Sequence, residues 1–244
     1  MDTPTSTPAP SIVRLAQALT DHDAGDPFAD ELIAWLTTSP RFRAFATTYR
    51  PKIHKKVRSA PEPEALRDVR AELLAAHRLL ADPRFTVAYE AHGSGRTGPD
   101  LSVTYRTTTA FDLEVTRLRT PPEPAPLAER ILAKLRQLPP SVPNVLLIAS
   151  DRAASAVDIA GSIRLLRARA DTRDDAFFAR RGLDNGRGFY ERFLRLAAVI
   201  SWCDEASGDE RAERWVNPSA RIALPDAAGR ACIACFREGD VKKS

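Results

Sequence analysis

The sequence predicts an α/β protein with a mixed central sheet flanked by helices, and three observations lead there. Three short runs, Phe85-x-Val87-x-Tyr89, Leu101-x-Val103-x-Tyr105 and Phe111-x-Leu113-x-Val115, alternate apolar with polar or small residues, the period of a β-strand. Ahead of them Leu66, Val69, Leu73, His77 and Leu80 fall in one helical stripe. Behind them Leu127, Ile131, Leu135 and Leu138 form a second stripe, closed by Pro139-Pro140 and followed by the continuous apolar run 145–149. Such a run suits a strand buried on both faces after a parallel crossover. The order is helix, three strands, helix, strand.

The remaining elements come from the same patterns. Residues 1–11, rich in Pro, Thr and Ser, offer no apolar face to offset ordering entropy and are expected to be a disordered tail. Residues 12–240 are read as a single α/β domain, since 244 residues sit near the length at which single cores stop growing. Helices are expected at 12–19 and 27–36, with Pro40 and Pro51 punctuating the stretch after them. Pro83 ends the helix of 62–80. The connection 106–110 is short enough for a hairpin, whereas Gly93-Ser94-Gly95 and Gly98-Pro99 mark a looser turn. Beyond 150, helices are expected at 154–169, 175–181 and 189–196, a strand at 197–202, a short strand at Trp215-Val216 leading to the Asn217-Pro218 turn, and a helix at 226–236.

Composition excludes several classes. At 43% hydrophobic and 28% charged the chain is too apolar for a wholly disordered protein. No apolar run approaches the roughly 18 residues needed to cross a bilayer, so no membrane association is expected. The start, MDTPTSTPAPS, lacks a secretory pattern, and a cytoplasmic location is the expectation. Three cysteines make no disulfide framework. The net charge of +4 is modest, but its distribution is not even. Arg41, Arg43, Arg50, Lys52, Lys55, Lys56 and Arg58 run without an acidic residue, interleaved with Phe42, Phe45 and Tyr49. Arg50, Lys52, Lys55 and Lys56 in particular would track a nucleic-acid backbone and release counterions on binding, or simply form a solvated face with the aromatics inside.

Two carboxylates lie at the ends of neighbouring predicted strands. Asp100 follows Gly98-Pro99 at the start of the second, and Glu114 sits in the third, in FDLEVT. If Tyr105 and Phe111 flank the hairpin, Glu114 stands opposite Ser102 and one diagonal step from Asp100. That step is about 7–8 Å, near enough for two carboxylates to share a divalent cation. Asp112, Glu114 and Thr116 face away from Phe111, Leu113 and Val115. Glu72 lies at the border of the preceding helical stripe.

Glu72 on a helix, Gly98-Pro99-Asp100 opening a strand and Leu113-Glu114-Val115 in the next resemble the PD-(D/E)xK nuclease superfamily over residues 62–150. The resemblance implies a restriction-endonuclease-like core and a metal-dependent nuclease hydrolysing phosphodiester bonds in DNA. Asp100 and Glu114 would hold Mg²⁺ (or Mn²⁺), and Glu72 would ligate or orient water. The superfamily's lysine, two residues after the Glu, is Thr116 here, which has no charge for the developing phosphorane. Some members move that lysine to a nearby element, and Lys134 on the next helix is a candidate. The alternative is a catalytically silent relative that binds nucleic acid or a protein partner. Carboxylates so crowded, with no cation at 116, would repel one another unless a divalent ion is bound.

Other residues read more simply. Cys232 and Cys235 form a CxxC on a helix with small inward residues, three thiols counting Cys203, one short of a four-ligand site. His77 lies within an apolar stripe and reads as a core imidazole. His92 lies in the glycine-rich turn before Asp100. Nine arginines between 164 and 195 meet five acids, a mixed surface.

Overall fold

The computed structural model describes residues 8–21, 25–91, 98–119, 123–150, 158–203 and 211–237. The chain forms two compact units, Met1–Pro83 and Arg84–Ser244.

The first unit is helical: α1 (Pro10–Thr20), α2 (Pro27–Thr38), α3 (Pro40–Thr48), α4 (Arg50–Arg58) and α5 (Pro63–Ala81). Each carries a proline in its first two positions, where the fixed φ suits the helix and the missing N–H costs no bond. Pro40 and Pro51 therefore start helices rather than interrupt the chain. Residues 10 and 11, expected in the tail, form the first turn of α1 for the same reason, and residues 1–7 lie outside the described residues. Side chains complete the starts of α2 and α3, where Asp26 accepts from the Phe28 and Ala29 amides and Ser39 from Phe42. Arg41 does the converse at the end of α5, donating to the Leu80 and Asp82 carbonyls at 2.6 and 2.7 Å. The core of this unit gathers Leu32, Leu36, Phe42, Phe45, Ile53 and Leu73, all buried. His77 lies stacked on Trp35, centroids 5.4 Å apart, and edge-on to Phe42 at 5.3 Å.

The second unit is built on one six-stranded sheet. In chain order its elements are β1 (Phe85–Tyr89), β2 (Leu101–Tyr105), β3 (Thr109–Leu118), α6 (Pro124–Leu135), β4 (Asn144–Ser150), α7 (Ile159–Asp171), α8 (Asp175–Ala179), α9 (Gly186–Phe193), β5 (Leu196–Cys203), β6 (Arg211–Val216) and α10 (Asp226–Ala234). The strands lie in sequence order. β1, β2 and β3 are antiparallel, β3, β4 and β5 parallel, and β6 antiparallel to β5. The parallel pairs need crossovers, supplied by α6 and by α7 to α9. An α/β unit with a mixed sheet flanked by helices is thus as the hydrophobic patterns predict, and β4 is buried along its whole length.

Strand parity sorts the two faces. Leu118, Leu146, Ile148 and Val199 join Leu127, Ile131 and Leu135 of α6, Ile163 and Leu166 of α7 and Phe189 and Phe193 of α9 in one core. α9 comes close to α7 because it begins with Gly186, where a Cβ would meet Ala170 at 3.0 to 3.2 Å. Trp202 turns to the opposite face and packs on Phe236 beyond α10, centroids 5.1 Å apart. Two buried asparagines tie the strand ends. Asn144 donates to the Pro139, Val142 and Arg195 carbonyls, and Asn217 to Phe193 and Leu196. No helix among the described residues is long and apolar enough to cross a membrane.

Candidate functional site

The site begins with the β2–β3 hairpin. Tyr105 pairs with Thr109 and Ser102 with Asp112, so the loop is three residues, 106–108, and the register is shifted by two from the expectation. Arg106 and Thr107 make this possible by taking φ of 50° and 64°, the left-handed region that a tight hairpin requires. The ladder ends at Leu101 and Leu113, so Asp100 lies one residue before β2 and Glu114 one residue beyond the last paired position of β3.

On β3, Asp112, Glu114 and Thr116 are all buried. They share the parity of Leu118 and so lie on the face covered by α6, not the solvent. Each carboxylate has a partner in the fold. Ser102 Oγ donates to Asp112 Oδ1 at 2.8 Å. Lys134 of α6 donates through Nζ to Glu114 Oε1 at 2.5 Å, with the Glu114 side chain 2% exposed and that of Lys134 20%. The Asp100 carboxylate accepts the Val115 N–H at 2.8 Å, beyond the last paired position of β3 on that side. A carboxylate here substitutes for the strand that has ended.

Glu72, on α5 of the first unit, is 7% exposed and accepts from Lys56 Nζ at 2.6 Å. A proposed catalytic carboxylate and a proposed nucleic-acid-binding lysine are therefore joined to one another. Each of these two glutamates has a lysine within its own unit, Lys56 for Glu72 in the first and Lys134 for Glu114 in the second. A signal for this was present: lysine occurs at only six positions, 52, 55, 56, 134, 242 and 243, in a chain whose other cations are arginine. A compact ammonium on a flexible stem can meet a buried carboxylate where a planar guanidinium needs more room. Ser102 had no signal of its own beyond the hairpin register.

Of the other basic residues, Arg50 and Lys55 are exposed, and Lys52 lies 5.8 Å from the Tyr49 ring centroid. Among the described residues no three His, Cys, Asp or Glu side chains converge as a metal-holding group. The Cys232 thiol is fully buried in α10 and pushed well above its usual pKa by burial, while Cys235 donates to the Ala231 carbonyl at 3.4 Å. A thiol held neutral is a poor metal ligand or nucleophile. His92 and the glycines at 93 and 95 lie outside the described residues.

These elements define an α/β unit with a mixed sheet and two buried carboxylates, Asp112 and Glu114, on the face under its first crossover helix. No family model, curated protein or solved structure matches the chain.

Proposed function

We propose that the protein is a divalent-metal-dependent, nuclease-like enzyme of restriction-endonuclease-like core that hydrolyses phosphodiester bonds in DNA. The observation that carries this reading is Glu114, buried on β3 at 2.5 Å from Lys134, beside Val115, whose N–H donates to the Asp100 carboxylate at 2.8 Å. Mg²⁺ is commonly held by one or two carboxylates and several waters, and Asp100 with Glu114 fits that donor set. A bound Mg²⁺ or Mn²⁺ would polarise the phosphoryl oxygen and supply a hydroxide-like nucleophile.

The chain's own residues would do the rest. Asp100 is anchored through the Val115 N–H and would share the metal with Glu114. Lys134 supplies the positive charge that Thr116 lacks, from the helix above rather than from β3, and would steady charge developing on the phosphate. Thr116 would at most hydrogen-bond the substrate. Arg50, Lys52, Lys55 and Lys56 would hold the nucleic-acid backbone, Lys56 only by sharing itself with Glu72.

A catalytically silent relative that binds nucleic acid or a protein partner is the second reading, favoured by the Asp100 hydrogen bond to Val115, which gives that carboxylate a structural use. Thermal melting with and without millimolar Mg²⁺ or Mn²⁺ tests the site. Wild type should gain stability by mass action, about 2.7 kcal/mol at a hundred times Kd, and Glu114→Gln should not. Equal shifts in both proteins would place the metal elsewhere and end this reading.

A further inference from the structure

The basic end of α4 makes a pocket that the carboxylate site does not use. Ile53 and Val57 bury one side of α4, which turns His54, Lys55, Arg58 and the following Ser59 outward. These four residues line a cavity of about 380 Å³. Lys55 is exposed and has no ion-pair partner among the described residues. The Arg58 side chain is 70% exposed. Among the described residues the acid that approaches is Asp21, the residue that ends α1 with φ of 58°. Its Oδ2 lies 2.9 Å from His54 Nε2 and 3.8 Å from Arg58 Nε.

A carboxylate within reach of both the His54 imidazole and the Arg58 guanidinium marks where an oxyanion sits. Among the described residues Asp21 reaches His54 and Arg58, while Lys55 is exposed. A phosphate group offers more acceptor oxygens than one carboxylate and would engage Lys55 and the planar donors of Arg58 together. The carbonyl end of α4 opposes any anion with roughly half an elementary charge, which two full cations exceed. The cavity is also large enough for a phosphate together with part of its attached sugar.

We propose that His54, Lys55 and Arg58 form a phosphate pocket for one backbone phosphodiester of a nucleic-acid strand, with Asp21 as an internal competitor for His54 and Arg58. This deepens the nucleic-acid reading above and rests on it. It moves the contact from Lys56, engaged with Glu72, to Arg58 and His54, which that reading leaves out.

The test uses the full chain and two probes, inorganic phosphate and a labelled single-stranded oligodeoxynucleotide of about ten nucleotides, titrated over a range of salt. Lys55→Ala/Arg58→Ala should weaken oligonucleotide binding at least tenfold and flatten the log–log salt slope by about 0.7, the value for one phosphate on a single strand. Asp21→Asn should tighten both probes severalfold by removing the competitor. Unchanged affinity in the double variant overturns the pocket, as does phosphate binding that the oligonucleotide does not share. Weaker binding by Asp21→Asn would overturn the competitor role. Metal-dependent melting is read in the same samples. A metal shift that survives in the double variant leaves the carboxylate site standing whatever the pocket does. Loss of the shift in Glu114→Gln alone tests that site separately.

Discussion

Replacing Lys134 by Met removes the ammonium from Glu114 while keeping most of the stem's volume, and it puts a number on the centre of the site. Glu114 is 2% exposed and cannot be rehydrated without opening α6 from the sheet. Breaking a buried pair by removing one partner costs about 3–5 kcal/mol, and the 20% exposure of Lys134 argues for the lower end. A loss near 3 kcal/mol corresponds to a fall in Tm of about 6–12 °C for a chain of this size. Urea unfolding followed by circular dichroism would measure it, with the m-value checked for constancy. Glu114→Leu in the same background should recover most of the loss, because two apolar groups replace two charges and no orphan remains. The coupling energy of this double-mutant cycle should exceed about 2 kcal/mol. A Lys134→Met variant within about 0.5 kcal/mol of wild type, the range of an ordinary surface substitution, would mean that Glu114 does not depend on Lys134 and that Lys134 is not the displaced lysine.

Three further outcomes rest on local geometry. Asp100→Ala should cost about 1–2 kcal/mol in urea unfolding by stranding the Val115 N–H, so a neutral result would show that water replaces the carboxylate. His77 is lowered from 6.5 to about 4, by burial first and then by the charge of Arg78. The unfolded chain therefore takes up this proton before the folded one does. The His77 contribution is fully present above about pH 6.5 and is lost as pH falls through about 4, on the order of 1–2 kcal/mol after allowance for solvent screening. His77→Gln should flatten stability over that window, and an unchanged pH profile would assign the loss to other groups. Thr107→Gly should raise stability by about 1 kcal/mol, since a β-branched residue at φ 64° is strained where glycine is not. A loss of stability there would mean that Thr107 makes contacts worth more than the strain.

The strands and the crossover helix were legible because their apolar spacing is dictated by burial. Val145 to Ala149 could hardly be anything but a central strand, and the alternation in Phe111 to Val115 placed Asp112, Glu114 and Thr116 on one face without reference to their neighbours. Register was not legible. It turned on Arg106 and Thr107 adopting left-handed backbone, a conformation that neither residue type advertises, whereas Asn-Gly would have signalled it. The prolines misled in a consistent way: Pro40 and Pro51 break a helix from within but open one at its first turn, and sequence gives both uses the same letter. Glu72 and Glu114 were visible as carboxylates at suitable places, but Lys56 and Lys134 as their counterions were not. Pairing over 16 and 20 residues is a property of packing, and only the scarcity of lysine hinted at it.

Hydrolysis itself is the most direct measurement. Purified full-length protein would be incubated with single- and double-stranded DNA in Mg²⁺, in Mn²⁺ and in chelator, beside Glu114→Gln and Asp100→Asn, with circular dichroism showing each variant folded. A metal-dependent nuclease centred on these carboxylates should cleave strands as wild type in divalent metal, show no cleavage in chelator, and lose roughly a hundredfold or more in both variants, the scale of removing a group that acts in the transition state. Metal-dependent cleavage that persists unchanged in Glu114→Gln, or no cleavage of either substrate by folded wild type in either metal, would contradict it.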